Sequence, residues 1–265
     1  LYVYDAASIS FREWEKRGLN PLLTVRDDHV ETAEKFLRPF GFRPGDWFVG
    51  LHVREEGPSV VTNGRNAAIG DYLPLIRRVT DAGGWVIRIG NRGMTPLPPL
   101  VNVVDLTALA PYPAEMDVFV CGRSRFFVGK SSGPNTIPQC FGVPLLWTNA
   151  TGLAVHGIYM PKTRIIPKLV SANDAGSELS LSQMVTRGIA GFDGRLPEQA
   201  GGETLSWKAN TGALMAASVE EMLSEDLSGR LSAGQMRYQD LLQSAGNFYR
   251  PVLAEAFVQR YPLSD

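Results

Sequence analysis

Two segments of this chain set polar and cationic groups where an anion can be held. The first is 47–56, WFVGLHVREE, and the second is 126–142, FFVGKSSGPNTIPQCFG. Each begins as a short apolar run of β-forming residues and breaks into a polar loop. His52 and Arg54 leave the end of the first run. Lys130, Ser131, Ser132 and Gly133 leave the second, ahead of a predicted helix. An arginine at the end of a buried strand is costly unless it meets an anion. Its partner is either a neighbouring carboxylate, Glu55 or Glu56, or a phosphate, which the guanidinium fork suits. Backbone N–H groups at a helix start are unpaired, and the helix dipole favours negative charge there. Ser131, Ser132 and Gly133 therefore read as an anion cradle, with an ordinary N-cap as the plain alternative. Lys130 is a second phosphate contact or a solvated lysine. His52 alternates with Arg54 and shares its face, either as a packed core histidine or as a member of the site. Two strand ends that both face a phosphate suggest a nucleotide or nucleotide-sugar site.

Strands and helices must bring those ends together. Apolar runs predict strands at 47–53, 85–90, 101–106, 125–128 and 143–147, with helices at 27–40, 69–82, 114–121 and 134–141 between or before them. Asp27 or Asp28 can cap the first helix and Gly41 close it. Alternating strands and helices, with strands apolar on both faces, indicate an α/β fold: a doubly wound, Rossmann-like parallel sheet over 46–149. In such sheets ligands bind at the carboxyl ends of the strands. Asn91 and Arg92, Asp105 and Thr107, and Thr148 and Asn149 leave those ends as a polar collar. Past 149 the pattern loosens into an extended segment at 164–170, a helix at 181–187 and a Gly/Pro-rich stretch at 191–202. Additional C-terminal helices are predicted at 218–227, with a Ser218/Glu221 capping box, at 233–245, and at 251–260 with Pro251 in its first turn.

Composition excludes several functions. With 26 basic and 27 acidic residues and no basic stripe, nucleic acid is not the expected partner. No apolar run reaches the ~20 residues of a transmembrane helix. Cys121 and Cys140 are too few for a disulfide scaffold and read as buried free thiols. The first residues carry no signal-peptide pattern and read as mid-structure, so the expectation is the C-terminal part of a longer protein. P-loop, GxGxxG and GxSxG motifs are absent, as are metal-spaced histidines and a D-x-D carboxylate pair. The expected site therefore uses no cofactor and no metal: arginine and helix dipole would neutralise a leaving diphosphate.

GLHVREEG at 50–57, Arg65-Asn66-Ala67 with Tyr72, GGWVIRIGN at 83–91, MDVFV at 116–120 and RFFVGKSSGPNTIPQCFGVP at 125–144 resemble a bacterial glycosyltransferase family. More remotely, His-Val-Arg at 52–54 is similar to the HxR strand motif of fucosyltransferases, including the protein O-fucosyltransferases and the α1,6-fucosyltransferases. The resemblance implies a GT-B-like architecture of two Rossmann-like lobes, with this chain supplying the C-terminal, donor-binding one. It implies that Arg54 contacts the donor β-phosphate, that Ser131, Ser132 and Gly133 hold the phosphates, and that Asn91 and Asp105 line the base and ribose. His52 and Lys130 would complete the donor site. Glu55-Glu56-Gly57 stands where fucosyltransferases often carry a second basic residue or Gly, then Asp or Asn. Glu56 is then a general base for an acceptor hydroxyl, or a solvated loop carboxylate.

The implied function is an inverting, metal-independent glycosyltransferase of polysaccharide biosynthesis, with a nucleoside-diphosphate sugar, GDP-linked by the likeness, as donor. A glycan or other hydroxyl compound would be the acceptor. The alternative is a non-catalytic nucleotide- or glycan-binding module without a full acceptor lobe. The expected division is 1–45 as remnant or linker of an N-terminal lobe, 46–190 as the nucleotide-sugar domain, and 191–265 as loop and helices packing back. The expected location is the cytoplasm, including the periphery of the inner membrane; the sequence carries no signal for oligomeric state.

Overall fold

The computed structural model describes residues 13, 16–19, 21, 23–55, 64–109, 111–151, 162–172, 177–189, 205–223, 227, 230–244 and 252–263. Its centre is a parallel sheet of β1 (Phe48–Leu51), β2 (Trp85–Arg88), β3 (Val103–Asp105), β4 (Phe126–Gly129), β5 (Leu145–Ala150) and β6 (Thr163–Pro167). The strands lie in the order β3-β2-β1-β4-β5-β6, and every neighbouring pair is parallel. All residues of β1, β2, β4 and β5 are buried, as the apolar runs require when helices cover both faces.

The order is that of the doubly wound α/β fold. The chain runs outward from β1 to β3, then returns to lay β4 against the other side of β1. Crossovers from β1 and β4 therefore diverge, and a crevice opens between their carboxyl ends. Gly50 allows the close pairing there, since a Cβ on it would stand 2.5 Å from the Phe127 ring.

Helix α1 (Asp27–Leu37) ends in a 3-10 turn, Arg38–Phe40, and turns away at Gly41 with φ 100°. It packs on α3 (Glu115–Arg123), which also meets α4 (Thr136–Cys140). Helix α2 (Leu73–Asp81), entered through the 3-10 turn Ile69–Tyr72, packs instead on α6 (Gly212–Leu223). Right-handed crossovers place these two groups on opposite faces of the sheet. Beyond β6, β7 (Leu169–Ala172), β8 (Ser177–Leu179) and β9 (Leu205–Lys208) form an antiparallel sheet in the order β8-β7-β9. Helices α5 (Leu181–Thr186), α7 (Ala233–Ser244) and α8 (Glu255–Arg260) complete the described elements.

Several local expectations change. Neither Asp27 nor Asp28 caps α1: the cap position is Arg26, and the Asp28 carboxylate pairs with its guanidinium at 2.7 and 2.9 Å. Ser218 caps nothing, because α6 begins six residues earlier and leaves it in mid-helix, where its hydroxyl donates to the Leu214 carbonyl at 3.0 Å. Thr211 caps that helix instead, its Oγ1 accepting from the Leu214 N–H at 3.2 Å. The box motif does form at α5, between Ser180 and Gln183. Helix α8 starts only at Glu255, because Leu253 bridges β6 at Ile165; Pro251 lies outside the described residues. Cys121 is buried as expected, whereas Cys140 is exposed.

Candidate functional site

A cavity of about 1140 Å³ opens at the carboxyl ends of the parallel strands. His52, Arg54 and Glu55 reach it from β1, and Asn91 and Arg92 from the loop after β2. Asn66 and Asp71 come from the approach to α2, Asp117 from α3, and Ser132 from the loop after β4. The two strand ends singled out in the sequence thus flank the switch point.

His52 joins them. Its Nδ1 lies 3.1 Å from the Ser132 hydroxyl. Burial, then the charges of Arg88, Lys130 and Arg54, push its pKa down to about 4, so the ring is neutral at pH 7. A neutral imidazole can exchange a hydrogen bond with the hydroxyl in either tautomer.

Arg54 is half-buried at the cavity wall. Among the described residues no hydrogen bond or ion pair engages its guanidinium. Glu55, one of the two carboxylates expected to neutralise it, is committed elsewhere: it accepts from the Thr95 N–H at 2.7 Å and lies 3.4 Å from Arg88 Nη2. Glu56 lies outside the described residues. Of the alternatives for Arg54, pairing with Glu55 is therefore excluded.

Lys130 is not the solvated lysine expected. It is fully buried, its Nζ has no hydrogen-bond partner among the described residues, and it is absent from the cavity wall. Burial, then the charges of Lys168 and Arg54, push it down to about 6, opposed by Asp71. Lys168 itself escaped the sequence reading. Its Nζ donates to the carbonyls of Gly64 at 2.7 Å and Asn66 at 3.0 Å, pinning the segment that carries Asn66 and Asp71. Burial brings it down to about 8.

The anion cradle is reduced to one residue. Ser132 lines the cavity, while the Ser131 hydroxyl accepts from the Trp147 indole at 3.3 Å and Gly133 stands away from the wall. The predicted helix is split into a 3-10 turn, Gly133–Asn135, and a five-residue α4. So short a helix sums few peptide dipoles, and the expected dipole contribution falls away.

Asn91 lines the cavity, but Asp105 does not. Its carboxylate accepts from Arg88 Nη1 at 3.0 Å, Leu97 N–H at 2.8 Å, and the Thr107 N–H and hydroxyl at 3.1 and 2.7 Å. Asp105 thus supports the loop after β2 rather than facing a ribose. Arg88 is the centre of that support: fully buried, it meets Glu55, Asp105 and the Thr95 carbonyl, the last at 2.6 Å. A signal for it was available. A cation within the apolar run WVIRIG must be paired if that strand is buried on both faces.

Thr148 and Asn149 are likewise spent internally. Tyr72 Oη lies 2.7 Å from Thr148 Oγ1 and accepts from Asn149 Nδ2 at 3.1 Å. Asn149, at φ 51°, also exchanges backbone-to-amide bonds with Asn210, whose neighbour Ala209 closes part of the cavity.

No protein-family model matches this chain, and no curated protein matches it. Solved structures do. A glycosyl transferase of family 9 from Veillonella parvula superimposes over 78% of this chain and 54% of its own, at 13% identity and a TM-score of 0.46. The dodecameric iron-containing heptosyltransferase TibC, solved with ADP-D-beta-D-heptose, superimposes over 46% of this chain and 32% of its own, at 14% identity and a TM-score of 0.33. The chain spans about half the length of the first and a third of the second. The strand order decides the fold. It is a doubly wound α/β sheet with its crevice between β1 and β4.

Proposed function

We propose that this protein is a glycosyltransferase whose nucleoside-diphosphate sugar binds in the cavity at the β1/β4 switch point. One observation carries the reading: the guanidinium of Arg54, unpaired among the described residues, faces a cavity of about 1140 Å³ at the strand ends where doubly wound folds hold nucleotides. A half-buried arginine without a counter-ion is suited to a ligand that brings one. The likeness of 50–57 and 125–144 to a glycosyltransferase family points the same way.

On this reading Arg54 holds the donor β-phosphate, with the Ser132 hydroxyl, oriented by neutral His52, as a further donor. As the acceptor oxygen bonds to the anomeric carbon, the bond to the β-phosphate oxygen breaks and negative charge moves onto the diphosphate. Arg54 is placed to be worth more in that state than in the ground state, which is what lowers a barrier. The arginine would supply the charge that a metal supplies elsewhere, giving a metal-independent, inverting transfer with Glu56 as the base for the acceptor hydroxyl. A GDP-linked sugar is the donor we favour, on the likeness of the 52–54 motif to fucosyltransferases.

Thermal-shift titration with GDP, UDP, ADP, CDP and dTDP, with and without divalent metal, tests the site. A ligand that binds only the native state raises the midpoint by mass action. Arg54→Ala is expected to abolish the response and to lower transfer at least ~100-fold. Its own melting should match or exceed the wild type, since no internal bond is lost. Diphosphate binding and turnover that persist in Arg54→Ala would sink the proposal.

A further inference from the structure

We propose that filling the diphosphate site is coupled to proton uptake, and that Lys130 is the group that takes the proton. The inference rests on the function proposed above and adds a regulatory consequence to it.

Lys130 directly follows β4, at the switch point, yet its side chain is wholly enclosed. The groups acting on it come from three elements. Arg54 and the neutral His52 lie at the end of β1. Lys168 lies between β6 and β7, and Asp71 on the turn before α2. Among these groups Asp71 is the single carboxylate facing two other cations. An arginine guanidinium stays charged, and Lys168, brought down only to about 8, still holds its ammonium against two carbonyls at pH 7. Lys130, whose Nζ has no hydrogen-bond partner among the described residues, is the member that relieves the crowding by becoming neutral.

A diphosphate at Arg54 reverses that balance. It brings two or three negative charges to the same cluster, in an interior where charges are weakly screened. The ammonium form of Lys130 then gains the counter-charge it lacks. With its pKa held down to about 6 in the unliganded protein, Lys130 carries little charge at pH 7, where Lys168 is still mostly charged, and has a proton to gain. Coupling is reciprocal: if the anion favours the proton, the proton favours the anion. Affinity should then weaken as pH rises, approaching about tenfold per pH unit while one proton is taken up.

Calorimetric titration with GDP, UDP, ADP, CDP and dTDP at about pH 7, in two buffers of different ionisation enthalpy, counts the protons directly. For whichever nucleotide binds, the wild type should take up close to one proton per diphosphate. Lys130→Met, which keeps the length of the neutral side chain, should bind roughly tenfold more weakly with no uptake. Lys130→Arg, permanently charged, should bind without uptake and without the loss of affinity. Binding heats that do not depend on buffer, or the same uptake in Lys130→Met, would overturn the inference and leave the proposed function standing. No binding of any of the five nucleotides would overturn both.

Discussion

Replacing Lys130 with methionine should stabilise the unliganded protein at neutral pH, by an amount that shrinks as pH rises. In the unfolded chain this ammonium releases its proton near 10.5, whereas in the folded protein it does so at about 6. Between those values the unfolded state holds one more proton than the folded state. Folded stability therefore rises with pH across that window, tenfold in the folding equilibrium per pH unit. Below about 6 the burden is fully present, and it disappears as pH passes the unfolded value. Methionine fills the same enclosed space without an ionisable group, so the variant lacks this slope. From pH 7 to pH 9 the gap between variant and wild type should narrow by roughly 3 kcal/mol. Lys168, present in both, cancels from the difference. Urea denaturation at pH 7, 8 and 9 reads the midpoints, and unchanged m-values would show that the same surface is exposed on unfolding. Parallel stability profiles, or a variant less stable than wild type at pH 7, would refute the reasoning. Either would mean that Lys130 is charged and partnered in the folded protein.

Two further outcomes concern groups at and behind the wall of the cavity, beside the Arg54→Ala test. Arg88→Met should cost ~3–5 kcal/mol, because it leaves Glu55 and Asp105 without their buried cation. Adding Asp105→Asn should recover part of that loss, and full additivity of the two variants in denaturation would show that the pair is not coupled. The His52 ring should stay neutral from pH 5 to 8 in a nitrogen-resolved NMR titration, charging only near about 4. Its folded pKa lies below the unfolded 6.5, so His52 lowers folded stability as pH falls between those values. A midpoint near 6.5 would show that water reaches the ring freely.

What could be read from the chain was local. The runs FVGL, WVIR and FFVG are apolar or tolerably so over four residues, and each is fully buried in a parallel strand; the run read to Trp147 also forms a strand, but β5 carries on through buried Thr148 and Asn149 to Ala150. Their alternation with helices implied the doubly wound class, and the polar groups just past each run marked where a ligand would sit. Helix ends were less legible: Ser218 followed by Glu221 satisfies a capping pattern, yet packing of α6 against α2 carries the helix back to Gly212. Leu205–Lys208 carried no strand signal strong enough to anticipate β9, whose ladder to Leu169–Ala172 joins segments more than thirty residues apart.

The sequence by itself thus determined the strands and intervening helices of the parallel sheet, the sheet class and the two strand ends that bear the candidate anion site. Tertiary structure alone decided which charges meet. Arg54 and Arg88 both follow or end apolar runs and look equivalent in the sequence, but Glu55 and Asp105 converge on Arg88, and none of the described residues pairs with Arg54. Lys130 and Asp105 both sit at strand ends, yet one is enclosed among cations and the other is consumed by Arg88 and the turn at Thr107. The reason is physical. Secondary structure follows from periodicities of a few residues, whereas a charge is neutralised by whatever the strand order brings within a few ångströms, and that order joins residues tens of positions apart.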